Sequence, residues 1–214
     1  MSAPFFTTTA LKPPKTMIIL TLHRLKFNKE KVKKNKPIII NGPLDIPEGH
    51  SLFGKKLYRW GHYTRNLVLL SGKKIKVVVQ RFYCPKTKRT FSLLPFYISR
   101  YQRYINTLIE DVLVKRIIDG KSCDKIAASG PPLCKTIARW TREMRSKLES
   151  LRAGIKKYLI RRNAEYFSVD TPKNTIAEKF SGLLDDGNAL ASAEDILQYG
   201  ALSYIKYVLQ EDMS

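Results

Sequence analysis

The sequence predicts an α+β fold in which a small antiparallel sheet is followed by helices. Apolar and basic residues alternate over residues 57–80, which is typical of half-buried strands. After Pro95 the apolar residues follow helical spacing instead. Glycine, proline and serine separate these segments and mark the turns between them.

Charge divides the chain into two parts. Residues 1–169 carry 36 Lys and Arg against 10 Asp and Glu, whereas residues 170–214 carry 3 against 8. The whole chain of 214 residues has a formal net charge of +21. A field this positive attracts polyanions, so nucleic acid is the predicted partner. A basic protein that merely binds acidic surfaces is the alternative.

Cysteine usage and apolar runs indicate a cytoplasmic protein. The three cysteines, Cys84, Cys123 and Cys134, are too sparse for a disulfide scaffold and fit a reducing compartment. The apolar run at residues 17–20 is too short for a signal peptide core or a membrane span. We therefore expect a cytoplasmic, nucleoid-associated protein with no membrane partner.

The first quarter of the chain alternates between irregular and strand-like segments. Residues 1–16, rich in Thr and Pro, are predicted to be disordered, and residues 17–23 to form a short strand. Residues 24–36 hold seven basic residues and one acid, which is typical of a solvated arm or of an arm that contacts phosphates. The prolines and glycines of residues 37–54 predict a loop.

The next segment has the frame of a zinc ribbon without its ligands. Ser71-Gly72 marks a hairpin turn, and Cys84-Pro85-Lys86-Thr87 stands where a ribbon has its second C-x-x-C knuckle. Thr87 replaces the second thiolate, and Lys88 stands where a tight knuckle often has glycine. We therefore predict a metal-free sheet without cofactor, held together by Trp60, Val77, Val79, Phe82 and Phe91.

Three helices are predicted after the sheet. Helical spacing extends over residues 101–116, and Asp119-Gly120 is the expected stop. Ser122 is a suitable cap for a short helix that ends near Ala128, and Ser129-Gly130 is a turn. Pro131 and Pro132 suit the first turn of a third helix, which begins near Leu133, ends near Arg162 and has Gly154 as a potential break.

A helix, a short helix, a turn and a long helix have the spacing of a helix-turn-helix. In the third helix one face is apolar, with Leu133, Ile137, Trp140 and Met144, and Trp140 is expected in the core. The opposite face carries the predicted DNA-binding residues Lys135, Thr136, Arg139, Arg142 and Arg145. Arg139 and Arg142 suit guanine edges, whereas Lys135 and Arg145 suit phosphates. An ordinary three-helix bundle with a basic surface is the alternative.

The C-terminal part is acidic and predicted to be helical. Helices are expected at residues 175–184 and 193–209, with a loop at residues 185–188. This region either packs as a helix pair or dimer contact, or mimics DNA and limits non-specific binding. The predicted organisation is a disordered segment at 1–16, a β domain at 17–95, a helix-turn-helix domain at 96–162 and an acidic helical region at 163–214.

Five short stretches stand out along the chain: LYRWGHY at 57–63, RFYCP at 81–85, TFSLLP at 90–95, YQRY at 101–104 and GKS at 120–122. In this order they resemble a bacterial family of mobile-element-associated, transposase-like proteins of largely uncharacterised function. Proteins of this family pair an N-terminal zinc ribbon with a helix-turn-helix, and the resemblance covers residues 17 to about 151. It implies DNA binding within or beside a transposition system, and the helix-turn-helix favours duplex DNA.

The resemblance also shows what this chain lacks. It places the first C-x-x-C near residues 49–52, where the chain has His50 and no cysteine, so Cys84 is the one remaining thiol of four. His62 follows Trp60-Gly61 at a strand position that points away from the knuckles. Cys123 and Cys134 belong to the helical segment. No zinc site is therefore expected.

The sequence does not predict an enzyme. Two-metal transposases need three carboxylates that converge on Mg²⁺, and few acids precede residue 170. No Ser-His-Asp set, P-loop or G-x-S-x-G motif is present. The alternative function is an RNA-binding or ribosome-associated protein, because Tyr58, Tyr63, Phe82 and Tyr83 are available to stack on unpaired bases. A decayed remnant without function is a third interpretation.

Overall fold

A computed structural model describes residues 17–22, 37–40, 54–95, 97–99, 101–162, 175–189 and 200–211. These residues form an α+β fold in which a sheet precedes helices, which confirms the predicted class and order. The predicted disordered segment at 1–16, the basic arm at 24–36 and His50 lie outside the described residues.

The sheet is mixed rather than purely antiparallel. Its strands are β1 (Met17–Leu22), β2 (Ile38–Ile40), β3 (Tyr58–Val68), β4 (Lys74–Cys84) and β5 (Arg89–Pro95). The predicted antiparallel part is β3, β4 and β5. β1 adds in parallel to β5, and β2 adds in parallel to β4. The loop prediction for residues 37–54 is wrong at β2, because three consecutive β-branched isoleucines favour a strand despite the flanking prolines and glycines.

Both predicted turns of the antiparallel part are present. The amide of Leu69 donates to the Lys73 carbonyl over 2.9 Å, and Gly72 takes a φ of +77° in the turn between β3 and β4. Between β4 and β5 the amide of Lys88 donates to the Pro85 carbonyl over 3.3 Å. Lys88 has a φ of +52°, the left-handed conformation that glycine adopts most readily. A tight turn is therefore present at the position where the sequence predicts one, with Lys88 in place of glycine.

The core of the sheet agrees with the prediction except at one residue. Val77, Val79, Phe82 and Phe91 are buried as predicted, whereas Trp60 is 41% exposed. Trp60 lies in a β-bulge of β3, between the pairs that Arg59 and His62 make with β4. A bulge bends the strand and redirects its side chains, so strand alternation did not place Trp60 correctly.

Five helices are present in the described residues: α1 (Asn106–Leu113), α2 (Cys123–Ala128), α3 (Cys134–Arg162), α4 (Ile176–Asn188) and α5 (Ala201–Glu211). A π-helical turn, Val114–Ile118, extends α1. Helix α1 starts five residues later than the sequence predicts, because Tyr101 has a φ of +59° and Tyr104 bridges to Val68 of β3. The stop at Gly120, with a φ of +67°, is confirmed.

The sheet and the helices are joined through the end of β3. The amide of Val68 donates to the Arg103 carbonyl over 2.7 Å, and the amide of Ile105 donates to the Val68 carbonyl over 3.2 Å. The Val68 side chain is buried within the core of the helices. The segment before α1 is thus held to the sheet by backbone hydrogen bonds on both sides of Val68.

The two glycines expected to interrupt helices are packed inside them. The loop prediction for residues 185–188 is wrong, because α4 continues through Gly187 to Asn188. A Cβ at Gly187 would lie 2.7 Å from Cδ1 of Ile205 in α5, so glycine permits close packing of the two helices. The break considered at Gly154 is also wrong, since α3 is continuous and a Cβ there would lie 2.6 Å from Cδ2 of Leu209.

The C-terminal helices share the core of α1, α2 and α3. Phe180 and Leu183 of α4 and Leu202 and Ile205 of α5 are buried in the same cluster as Trp140. Two polar contacts add to this packing. The Leu202 amide at the start of α5 donates to Oε2 of Glu110 over 2.7 Å, and Lys179 Nζ lies 2.6 Å from Glu149 Oε1 of α3. The hydrogen bond from Lys179 lowers the pKa of the Glu149 carboxyl.

Candidate nucleic-acid interface

Helix α2 and the turn after it are built from the expected polar residues. The Ser122 Oγ accepts a hydrogen bond from the Lys125 amide over 3.3 Å, which confirms Ser122 as the cap of α2. At the other end, Ser129 Oγ donates to the Ile126 carbonyl over 2.7 Å, and the Gly130 amide donates to the Ala127 carbonyl over 3.3 Å. The chain then passes through Pro131 and Pro132 into α3.

The inner face of α3 is anchored in the helical core. Ile137, Trp140 and Met144 are buried as predicted, and Trp140 meets the Tyr104 ring edge-on at 5.1 Å. Leu133 was expected on this face but is 78% exposed, because it precedes the first helical residue, Cys134. Helical spacing does not apply to a residue outside the helix, so the prediction for Leu133 is wrong.

The outer face of α3 brings the sequence-derived candidates together. Lys135, Arg139, Arg142 and Arg145 are exposed, and Thr136 is half-buried near the start of the helix. Among the described residues, Lys135, Arg142 and Arg145 have no ion-pair partner. These three cations can therefore bind an external anion without losing an ion pair of the described structure.

Arg139 differs from the other three cations. Its Nε lies 3.9 Å from Oε1 of Glu143, one turn further along α3, and both side chains are more than half exposed. An exposed pair of this kind contributes little to stability. It does place a carboxylate within the basic face, a feature that sequence analysis did not consider although the i, i+4 spacing of Arg139 and Glu143 signals it.

The three cysteines occupy two different surroundings. Cys84 is buried at the start of the knuckle-like turn, and burial disfavours its thiolate. The Thr87 hydroxyl, the backbone amides of Thr87 and Lys86 and the charge of Lys55 outweigh burial, so the pKa of Cys84 is lowered. Cys134 lies near Cys123, and burial together with that thiol and Asp124 raises the pKa of Cys134. Cys134 is therefore a poor nucleophile at neutral pH.

The residues present do not fit the zinc of a ribbon. Cys84 is the one thiol of the knuckle-like turn, and Thr87, where a second thiolate is needed, is not a zinc ligand. Within the described ranges, no three His, Cys, Asp or Glu side chains gather closely enough to hold a metal ion.

No helix in the described part of the chain is both long and apolar enough to cross a membrane.

The division of the sheet's aromatic residues between core and surface does not follow from strand alternation in the sequence. Phe82 is buried and unable to stack on a ligand, whereas Tyr58 and Trp60 are more than two fifths exposed. Tyr63 and Tyr83 are half-buried beside them. The signal available in the sequence was Gly61, which has a φ of +85° in the bulge.

Comparison with known proteins gives one match. Residues 52–140 match the model of a protein family described as a domain of unknown function, DUF6431. The matched segment starts before β3 and ends at Trp140 of α3, so it includes the hairpin, the knuckle-like turn, α1 and α2. It covers less than half of the chain. Neither the curated proteins nor the solved structures contain a match.

Proposed function

We propose that this chain is a DNA-binding protein that contacts duplex DNA through a helix-turn-helix formed by α2 and α3. The observation that carries the proposal is the division of α3 into a buried apolar face and an exposed basic face. The core fixes the inner face, so the outer face is presented as a rigid surface. A recognition helix needs this division, because one side anchors it while the other reaches bases and phosphates.

Within this proposal the cations have separate roles. Arg142 has no ion-pair partner among the described residues and suits a guanine edge, as does Arg139 once it leaves Glu143. Lys135 and Arg145 suit phosphates on either side, and Thr136 suits a polar contact near the start of the helix. The apolar residues of α4 and α5 are buried in the same core as α1 and α3, which favours a packing role for this region.

We also propose that the β domain is a metal-free, zinc-ribbon-like unit and that the protein belongs to a mobile genetic element. The turn at Lys88 supports the first part, since it puts a left-handed residue where a ribbon knuckle turns, although Thr87 replaces the second thiolate. The resemblance of residues 17–151 supports the second part. The role is transposase-like or regulatory, without a catalytic core of its own, and the location is the nucleoid.

The test begins with selection of bound sequences from random duplex DNA. Arg142→Ala is expected to weaken binding to the selected site by about 1–3 kcal/mol and to relax the preference at one base pair. If about six phosphates are neutralised, log affinity is expected to fall with log salt at a slope of about −5. Fluorescence anisotropy at several salt concentrations measures both quantities.

Lys157→Ala is the matched control. Lys157 is also exposed on α3 but lies about 22 Å further along the helix than Arg142, at 1.5 Å per residue. It is expected to leave base preference unchanged. If both variants weaken all sequences equally, or if no sequence is selected, α3 does not read DNA and an unspecific basic surface explains the charge.

A further inference from the structure

Four aromatic rings lie together at one end of the β3–β4 hairpin, and we name Tyr58, Trp60, Tyr63 and Tyr83 the aromatic face. Tyr58 and Trp60 are 46% and 41% exposed. Tyr58 is paired directly with Tyr83 across the two strands, and the Trp60 and Tyr83 ring centroids are 5.1 Å apart at an interplanar angle of 37°. Tryptophan and tyrosine normally bury most of their surface, so two neighbouring rings that are this exposed require an explanation.

The strand geometry explains why the rings are on one side and why that side is open. Alternate residues of β4 share a face, and on this face Ile75, Val77 and Val79 are buried. Further along the same face, Arg81 and Tyr83 are only half-buried. The bulge opposite Arg81 places Trp60 beside Tyr83. The aromatic face is therefore the continuation of a core-facing surface beyond the point where the core ends.

Cations are interleaved with these rings. The Arg81 guanidinium lies 4.6 Å from the centre of the Tyr63 ring, and the Lys56 Nζ lies 5.3 Å from the centre of the Tyr58 ring. The Nε of Arg81 is buried without a hydrogen-bond partner among the described residues. Residues 54–95 contain 11 Lys and Arg and no Asp or Glu. Because the strands of the sheet supply no acid to this surface, a partner that carries negative charges is favoured there.

We propose that the aromatic face is a second nucleic-acid site, which stacks the unpaired bases of a single strand while the surrounding cations contact its phosphates. Stacking needs a free base face, which a duplex hides between its base pairs, so the ligand is single-stranded. The combination of aromatic rings and a positive surface without acids is the chemistry by which single strands are bound without sequence preference. The site shares no residue with the basic face of α3 and does not depend on the function proposed for it.

Tryptophan fluorescence offers a direct test, because the chain has only two tryptophans. Trp60 is 41% exposed, whereas Trp140 is 3% exposed, so a base stacked on the aromatic face can quench only Trp60. The full chain is titrated with oligo(dT), with oligo(U) and with a blunt duplex. Oligo(dT) and oligo(U) are expected to quench the fluorescence, and their relative affinities decide between DNA and RNA as the preferred strand.

Binding of labelled oligo(dT) is then compared among variants by anisotropy. Trp60→Ala and Tyr58→Ala are each expected to weaken it about 5- to 150-fold, the range measured for one stacked base, and to leave duplex affinity unchanged. Trp60→Phe keeps a ring and is expected to retain most of the affinity. Tyr101→Ala is the matched control, since Tyr101 is 72% exposed but lies outside the aromatic face.

The two nucleic-acid proposals fail separately. If Trp60→Ala melts like the unmodified protein and binds oligo(dT) equally well, or loses duplex and single strand to the same extent, the stacking site is wrong. Loss of oligo(dT) binding by Trp60→Phe as well as by Trp60→Ala would also count against it, because the ring would then be irrelevant. Arg142→Ala is expected to leave oligo(dT) binding intact, so its failure to reduce duplex binding rejects only the function proposed for α3.

Discussion

The sheet and the helical unit are both basic, but they hold their cations in different surroundings. In the sheet, cations stand among exposed aromatic rings, and residues 54–95 contain no acid. In the helices, several cations pair with acids one turn away, as Lys115 does with Asp111 at 2.7 Å and Arg139 with Glu143 at 3.9 Å. The difference teaches that net charge alone predicts only a polyanion, whereas the neighbours of each cation are what distinguish the duplex proposed for α3 from the single strand proposed for the sheet.

The two tryptophans allow the sharpest comparison between these regions. Trp140 is enclosed in the helical core, so Trp140→Ala is expected to lower the free energy of unfolding by about 3–5 kcal/mol. Trp60 is 41% exposed, so Trp60→Ala is expected to cost less than Trp140→Ala: about 0.5–1.5 kcal/mol for the contact with Tyr83, in addition to the burial of part of the ring. Urea unfolding followed by circular dichroism measures both. If both variants lose the same free energy of unfolding, Trp60 is a structural residue like Trp140 and is not free to bind a ligand.

Among the acidic residues of helices α1 to α5, Glu110 has the clearest structural role. Its carboxylate accepts a hydrogen bond from the Leu202 amide at the start of α5. The positive end of the helix dipole also favours a negative charge at this position. Gly200 has a φ of +78°, and a Cβ there would lie 2.8 Å from Glu110 Oε2, so glycine leaves room for this contact. Glu110→Ala is expected to cost about 1.5–3 kcal/mol in urea unfolding, as for a hydrogen bond to a charged group.

Glu149→Ala is the control for Glu110→Ala. Glu149 also joins α3 to the C-terminal helices through Lys179, but its carboxylate is solvent-exposed and its ion pair is screened. It is expected to change stability much less than Glu110→Ala. If the two losses are alike, the carboxylate at the start of α5 has no special role. The two variants together distinguish acids that stabilise the fold from acids that only balance its charge.

Local pattern predicted most elements of this fold but few of the contacts between them. The antiparallel strands, the turn at Lys88, the Ser122 cap and the burial of Trp140 follow from spacing and turn chemistry. The parallel additions of β1 and β2 do not, because a strand's own sequence does not specify its partner. Gly187 was expected in a loop since its use, close approach to Ile205, depends on a distant helix. For the same reason the exposed position of Trp60, set by a bulge, was missed.

The outer face of α3 is expected to separate base contacts from phosphate contacts. Arg139→Ala is expected to cost about 1–3 kcal/mol on a selected duplex site and to relax one base preference. Lys135→Ala is expected to weaken all sequences alike and to lower the salt slope by about one. Anisotropy titrations at several salt concentrations distinguish the two. If Arg139→Ala binds duplex normally while remaining folded, the basic arm at residues 24–36 becomes the better candidate.

The smallest expected effect comes from the acid within that face. Glu143 lies 3.9 Å from Arg139 and on the side of α3 that carries Lys135 and Arg142, so its carboxylate repels an approaching phosphate and holds Arg139. Glu143→Gln removes the charge and keeps the length of the side chain. An exposed pair contributes about 0.2–1 kcal/mol, so duplex affinity is expected to rise by that amount, with a steeper salt slope. Oligo(dT) affinity is expected to stay unchanged, because the aromatic face of the sheet contains no acid. If the affinities for duplex DNA and for oligo(dT) both rise, Glu143 acts only through the net charge of the protein. The helices and the sheet would then not be two separate binding surfaces.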